Sequence, residues 1–268
     1  MADSIDNIIL ELENLYKSKS ILLDNKDVLL HENCICKDKC WDPKSLVKRS
    51  GNWNRIAYPF IGNKYNGELM CVGLNLNGFG GKNALIELIN GNGNNNIGVK
   101  NYLKKGIKKI NFGNKKEDYA GTLFWYKIAV YSNIILNNSI STDDYLKLSD
   151  IYDRLVFLEA IKCSPKGNKS KPEKNMNYCC PNEFLISEIN ILNPKMILLF
   201  GNSVSNYFKI KKFLVNNINY SKNKKIELFK ISVNNKIIDV VKIIHPTAFG
   251  GNNNTLYKEL YNLLNVNL

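Results

Sequence analysis

Apolar positions recur along the chain in two rhythms. Over 4–17 they fall at Ile5, Ile8, Ile9, Leu12 and Leu15, the three- and four-residue spacing of one helix face, with Ser4 or Asp6 placed to cap the first turn. Elsewhere the apolar residues form short continuous runs, each closed by Gly, Pro, Asn or a polar turn: 69–73, 156–161, 195–201 and 237–244. Runs of that length without alternation predict strands buried on both faces. Longer, helix-like stretches lie between them at 123–136, 142–154, 181–192 and 203–213. Buried strands alternating with helices predict an α/β fold, three layers α/β/α around a central, mainly parallel four-stranded sheet. Functional groups in such sheets sit on the loops at the carboxyl ends of the strands. The tract 82–119 is rich in Gly, Asn and Lys and weakly periodic, and reads as a basic insertion on the rim of a single domain spanning 1–268. An N-terminal helix and a cysteine cluster occupy 1–45.

Composition narrows the class. The chain has 268 residues, 44% hydrophobic and 23% charged, enough apolar content for a packed core and too much for a disordered chain. No apolar run approaches the roughly 20 residues of a membrane span, and the opening Met-Ala-Asp-Ser-Ile-Asp has no basic leader, so the reading is a cytoplasmic protein with no membrane partner. No obligate protein partner is evident. Lys plus Arg number 37 against 24 Asp plus Glu, a net charge of +13 that attracts polyanions, DNA foremost, or that serves solubility alone. Lys162, Lys166, Lys169 and Lys171, with Lys104, Lys105, Lys108 and Lys109, are candidate phosphate contacts or a solvated face.

Chemistry-bearing residues gather where strands end. Gly73-Leu74-Asn75-Leu76-Asn77-Gly78-Phe79-Gly80-Gly81 follows the first run, lets the backbone approach a ligand, and places the neutral amide of Asn75 in the cleft. It is neither a dinucleotide nor a P-loop fingerprint. The last run ends in Ile244-His245-Pro246-Thr247-Ala248-Phe249-Gly250-Gly251, so one of only two histidines stands at a strand end. The seven cysteines at 34, 36, 40, 71, 163, 179 and 180 are an odd set that argues against a disulfide scaffold. Four thiolates from two distant pairs suit an iron-sulfur cluster or a tetrahedral zinc, and buried structural cysteine is the alternative.

Three blocks in this order resemble the uracil-DNA glycosylase superfamily: Gly-Leu-Asn-Leu-Asn-Gly-Phe-Gly from Gly73; Ala-Ile-Lys-Cys-Ser-Pro-Lys-Gly-Asn from Ala160, with Asn193-Pro194-Lys195 leading the third run; and His245-Pro246-Thr247. The middle block is similar to the iron-sulfur branch, whose next ligand follows its Cys by 16 residues, as Cys179 follows Cys163. The first block is closer to the single-strand-selective monofunctional branch. The resemblance implies Asn75 as the residue that positions water and His245 as the catalytic histidine. It also implies a 4Fe-4S cluster on Cys36, Cys40, Cys163 and Cys179, with Cys34 or Cys180 as substitutes and zinc or no metal as alternatives. Phe124 is implied as the ring that stacks on the base, with Phe79 as a second.

Three departures accompany it. The first cysteine pair is spaced Cys36-x3-Cys40 or Cys34-x5-Cys40 instead of Cys-x-x-Cys, and Leu76 replaces a proline. Glu159 stands where the iron-sulfur branch has the Asn that reads uracil. An amide donates and accepts, whereas an ionised carboxylate only accepts, so it repels uracil O4 and suits the N4 amino group of a cytosine edge. Gly78, Gly80 and Gly81 supply little bulk against a C5 substituent. The expectation is a monofunctional glycosylase acting on a modified, 5-substituted cytosine-type pyrimidine, in defence against phage with modified DNA. Phe249 would wedge into the stack left by the flipped base. The alternatives are a uracil or 5-hydroxymethyluracil repair glycosylase, a non-catalytic DNA-binding module on the same fold, and an α/β enzyme acting on a free nucleoside or nucleotide.

Overall fold

The computed structural model describes residues 4–23, 26–29, 58–74, 83–91, 98–106, 119–162, 176–210, 212–216, 218–245 and 254–267. Helix α1 (Ile5–Ser18) starts where Ser4 predicts, its hydroxyl accepting from Asn7 N–H, and buries Ile8, Leu12 and Tyr16. Strands β1 (Leu22–Leu23) and β2 (Lys26–Leu29) form a small antiparallel pair. The main sheet is built from β3 (Phe60–Ile61), β4 (Leu69–Gly73), β5 (Leu155–Glu159), β6 (Met196–Phe200), β7 (Asn219–Tyr220), β8 (Ile226–Val233) and β9 (Lys236–Ile243).

Its order is β3-β5-β4-β6-β9-β8-β7. The central four, β5-β4-β6-β9, are mutually parallel and coincide with the four apolar runs. The sheet departs from the four-stranded expectation by three antiparallel strands: β3 beside β5, and β8 and β7 beyond β9. Strand β8 escapes the apolar-run test because charge interrupts it. Across the ladder Glu227 meets Lys242 at 3.1 Å and Lys230 meets Asp239 at 2.8 Å, so each charge is answered by its cross-strand neighbour. A two-residue turn, Asn234-Asn235, with both φ positive, joins β8 to β9 and matches their twist.

Helices cover both faces. Strand positions 70, 72, 156, 158, 197, 199 and 240 pack toward α1, α6 (Met176–Cys180), a π-helical turn (Pro181–Leu185), α7 (Ile186–Leu192) and α8 (Asn202–Ile210). The alternate positions 69, 71, 155, 157, 198, 200, 241 and 243 pack toward α2 (Ala84–Asn90), α3 (Val99–Lys104), α4 (Tyr119–Asn137), α5 (Tyr145–Asp150) and α9 (Asn254–Asn267). Period-two side-chain alternation thus divides one sheet between two cores. The tract expected as a weakly periodic rim contributes α2 and α3, whose Leu85, Leu88, Ile89, Val99 and Leu103 are buried in the second core.

One buried polar cluster fastens α1 to the first core. The Tyr16 hydroxyl donates to Glu188 on α7, and the Lys162 ammonium, just beyond β5, lies 2.5 Å from the same carboxylate oxygen. Lys162 and Glu188 are almost wholly removed from solvent. Glu188→Leu alone leaves that ammonium buried without its anion and is expected to cost about 3–5 kcal/mol. Lys162→Met with Glu188→Leu removes both charges and is expected to recover most of the loss. Urea unfolding of the two variants checks this, and equal losses would contradict it.

Candidate active site

The carboxyl ends of the parallel strands converge on the face covered by α4. Gly73 is paired in register with Glu159, and the ladder continues beyond the strands through Ala160 N–H to Gly73 C=O and Ile161 N–H to Leu74 C=O, each 3.0 Å. Glu159 shares the side-chain parity of Leu155 and Phe157, which face α4. Its carboxyl lies directly on Gly73: a Cβ at residue 73 would stand 2.6 Å from both Glu159 oxygens. Only glycine leaves room for the carboxyl in this position.

Glu159 is 3% exposed, and its Oε2 has no hydrogen-bond partner among the described residues. Burial pushes its pKa from an ordinary 4.5 up to about 8, with the nearby Lys162 ammonium pulling the other way. Near neutral pH Glu159 is therefore chiefly a carboxylic acid, with one donor and one acceptor. This corrects the premise that it is ionised there.

The other wall is aromatic. His245 continues β9 by two residues, so its side chain returns to the α4 face after Ile243. Its imidazole stacks on Phe124 of α4 with centroids 5.4 Å apart and planes at 20°. Phe124 meets Phe157 of β5 edge-on at 6.2 Å and Phe200 of β6 at 5.8 Å. Trp125 packs beneath, 4.8 Å from Phe157. These edge-to-face contacts fix the Phe124 ring, while both Phe124 and His245 stay half-buried. Burial lowers the His245 pKa, and the charge of Lys127, one helical turn beyond Phe124, lowers it further. Imidazole and carboxylic acid are thus held uncharged near neutral pH.

Of the residues expected at the site, Glu159, Phe124 and His245 occupy one face and one end of the sheet. Asn75, Phe79 and Phe249 lie outside the described residues, as do Cys36, Cys40 and Cys163. Cys179 is half-buried on α6 beside the buried Cys180, and the described cysteines form no disulfide. No group of three or more His, Cys, Asp or Glu side chains spaced for a metal occurs among the described residues. Cys71 lies on β4 with its thiol against Ser132, pushed up to about 12 by burial and so inert at neutral pH. Sequence reasoning passed over Phe157, Phe200 and Lys127. The two phenylalanines were visible only as strand core, and Lys127 carried the signal of a cation three residues after Phe124 on an otherwise apolar helix.

The strand ends therefore present an aromatic wall, a neutral imidazole and a buried carboxylic acid, groups suited to holding a flat, polar-edged ring. No helix among the described residues is long and apolar enough to cross a membrane. Comparison with curated proteins found no match. The family model described as Uracil DNA glycosylase superfamily matches residues 100–265, more than half of the chain, and covers β5, β6, β9, Phe124, Glu159 and His245. The chain belongs to the uracil DNA glycosylase superfamily.

Proposed function

We propose that this protein is a monofunctional DNA glycosylase that flips a pyrimidine nucleotide out of the helix, reads the base with Glu159, and hydrolyses its N-glycosidic bond to leave an abasic site. The observation that carries this reading is the Phe124–His245 stack sharing the ends of the parallel strands with the buried carboxyl of Glu159. Bond cleavage leaves positive charge on the sugar and negative charge on the departing base. His245, neutral by virtue of burial and Lys127, donates a hydrogen bond to base O2 as that charge grows. Asn75 orients the attacking water through its amide oxygen, and Phe249 fills the stack that the base has left. Phe124 supports the flipped ring, with Phe79 as a second aromatic surface.

Protonation of Glu159 decides what its edge accepts. With the proton on one oxygen, the acid accepts from uracil N3–H and donates to O4. With the proton on the other, it accepts from cytosine N4–H and donates to N3. Ionised, it can only accept, and then favours the amino-bearing edge. Exclusion of uracil is accordingly proposed for alkaline solution, above about pH 8, and not for neutral pH. The 5-substituted cytosine reading rests on room beside Gly78, Gly80 and Gly81, outside the described residues, and a role against phage with modified DNA follows only from activity on such a base. The cysteine set of Cys36, Cys40, Cys163 and Cys179 is proposed to hold a 4Fe-4S cluster with a structural role, and none of the chemistry above passes through it.

Oligonucleotides carrying uracil, 5-hydroxymethyluracil, cytosine, 5-hydroxymethylcytosine or its glucosylated form, followed by alkali, test the activity. Excision of at least one base is expected, falling by a factor of at least 100 in Asn75→Ala and His245→Ala while DNA binding persists. Binding with no excision of any base would instead favour a non-catalytic DNA-binding module. Iron, sulfide and zinc analysis of protein purified without oxygen tests the cluster, with roughly four irons per chain expected.

Glu159 also predicts a dependence of stability on pH. Its folded pKa exceeds its unfolded one, so the unfolded chain releases this proton first, and the contribution present below about pH 4.5 is lost as pH rises toward about 8. Glu159→Gln removes that titration. The variant should match the wild type near pH 4.5, gain on it by up to about 1.4 kcal/mol per pH unit, and level off above pH 8. Denaturant unfolding across this range checks it, and a constant difference would show that Glu159 does not titrate there.

A further inference from the structure

Lys127 is the one lysine of α4, and its side chain is completely buried. It follows Phe124 by three residues and precedes Tyr131 by four, which places it on the helix face that carries the site. Phe124 is stacked on His245, and Tyr131 meets Tyr257 of α9 at 5.1 Å. The Lys127 side chain is thus buried on α4 one turn from the ring that stacks on His245. Burying an ammonium is costly, and burial lowers its own pKa. The titratable groups on the elements packed here include Tyr126, Lys127 and Tyr131 of α4, Glu159 of β5, Lys236, Asp239 and Lys242 of β9, Tyr257, Lys258, Glu259 and Tyr261 of α9, and His245 itself. Among them Lys127 is the group whose charge bears on the imidazole. A lysine serving only as a surface contact or a helix former would have its ammonium in water.

We infer that Lys127 is a positioning residue for base release: it acts through His245, placing a fixed positive charge behind the imidazole that donates to the base oxygen on which negative charge develops. The inference rests on the glycosylase reading for its consequence, and on geometry for its origin. A cation touching the base directly would bind the departing anion and slow product release. One placed behind a neutral donor strengthens the donor as charge appears, with no reorganisation at that moment. The field matters most for a base that departs poorly. Its contribution should therefore shrink when the leaving base is more acidic.

The test pairs a titration with a rate. Lys127→Met keeps the length of the side chain and removes the charge, Lys127→Arg keeps the charge, and the unfolding temperature of each reports that the fold survives. In a His31→Gln background the imidazole of His245 is the only one in the chain, and its NMR shift is followed against pH. It should titrate below about 6.5 in the parent and with Lys127→Arg, and rise by about half a pH unit or more with Lys127→Met. Single-turnover excision by Lys127→Met should fall about tenfold or more on a uracil strand and distinctly less on a 5-fluorouracil strand, whose base is the better leaving group. An unmoved titration, or equal losses on the two strands, would overturn the inference. Absence of excision on every strand, with the titration shifted, would instead overturn the glycosylase reading and leave the coupling of Lys127 to His245 standing.

Discussion

Four parallel strands that end at one edge are the constraint on which everything else rests. In-register pairing sets Gly73 beside Glu159, and β6 and β9 stop close by, at Phe200 and Ile243. A parallel ladder fixes side-chain parity along with register, so Glu159, Phe200 and His245 all turn toward α4. A slip of one residue in β5 would send Glu159 into the other core and bring Leu158 or Ala160 to the site. Helix α4 then needs only to lie across these ends for Phe124 to reach Phe157, Phe200 and His245 together.

The electrostatics of the site run against those of the chain. The protein carries +13 overall, yet burial strips the charge from Glu159 and His245 near neutral pH. A charged surface and a neutral pocket do different work. In the proposed function the first gathers a polyanion from a distance, and the second accepts an uncharged ring without repelling any of its edges. One cation kept inside, Lys127, lies on α4 one turn from the ring that stacks on that imidazole. The Tyr16–Glu188–Lys162 cluster occupies the opposite core and couples back through Lys162, whose charge opposes the rise in the Glu159 pKa.

Much of this was legible in the chain. The central strands are so thoroughly apolar that length and punctuation located them to within two residues, and the Ser4 cap set the start of α1. Strand β8 was hidden because its charges make sense only once Glu227 is seen opposite Lys242 and Lys230 opposite Asp239. Helices α2 and α3 were hidden by the glycines and asparagines around them, and each is short enough that tertiary packing, not periodicity, holds it. For the candidate site, position along the chain pointed to Glu159, Phe124 and His245, which the fold brings to one face of the sheet. It misjudged the charge of Glu159, because ionisation depends on Gly73 lying against the carboxyl and on the depth of burial, neither of which is local in sequence.

The two rims of the sheet are each finished by an antiparallel strand of two residues, β3 on one side and β7 on the other. Such a short rim offers an incoming chain few unpaired backbone groups, and each rim strand runs antiparallel to the strand it covers. The apolar runs that make the interior strands readable from sequence are also segments prone to self-association if they lie at an open edge. Closing the sheet with two short rim strands keeps those runs inward, so that the protein can carry so apolar a centre without templating fibres of itself.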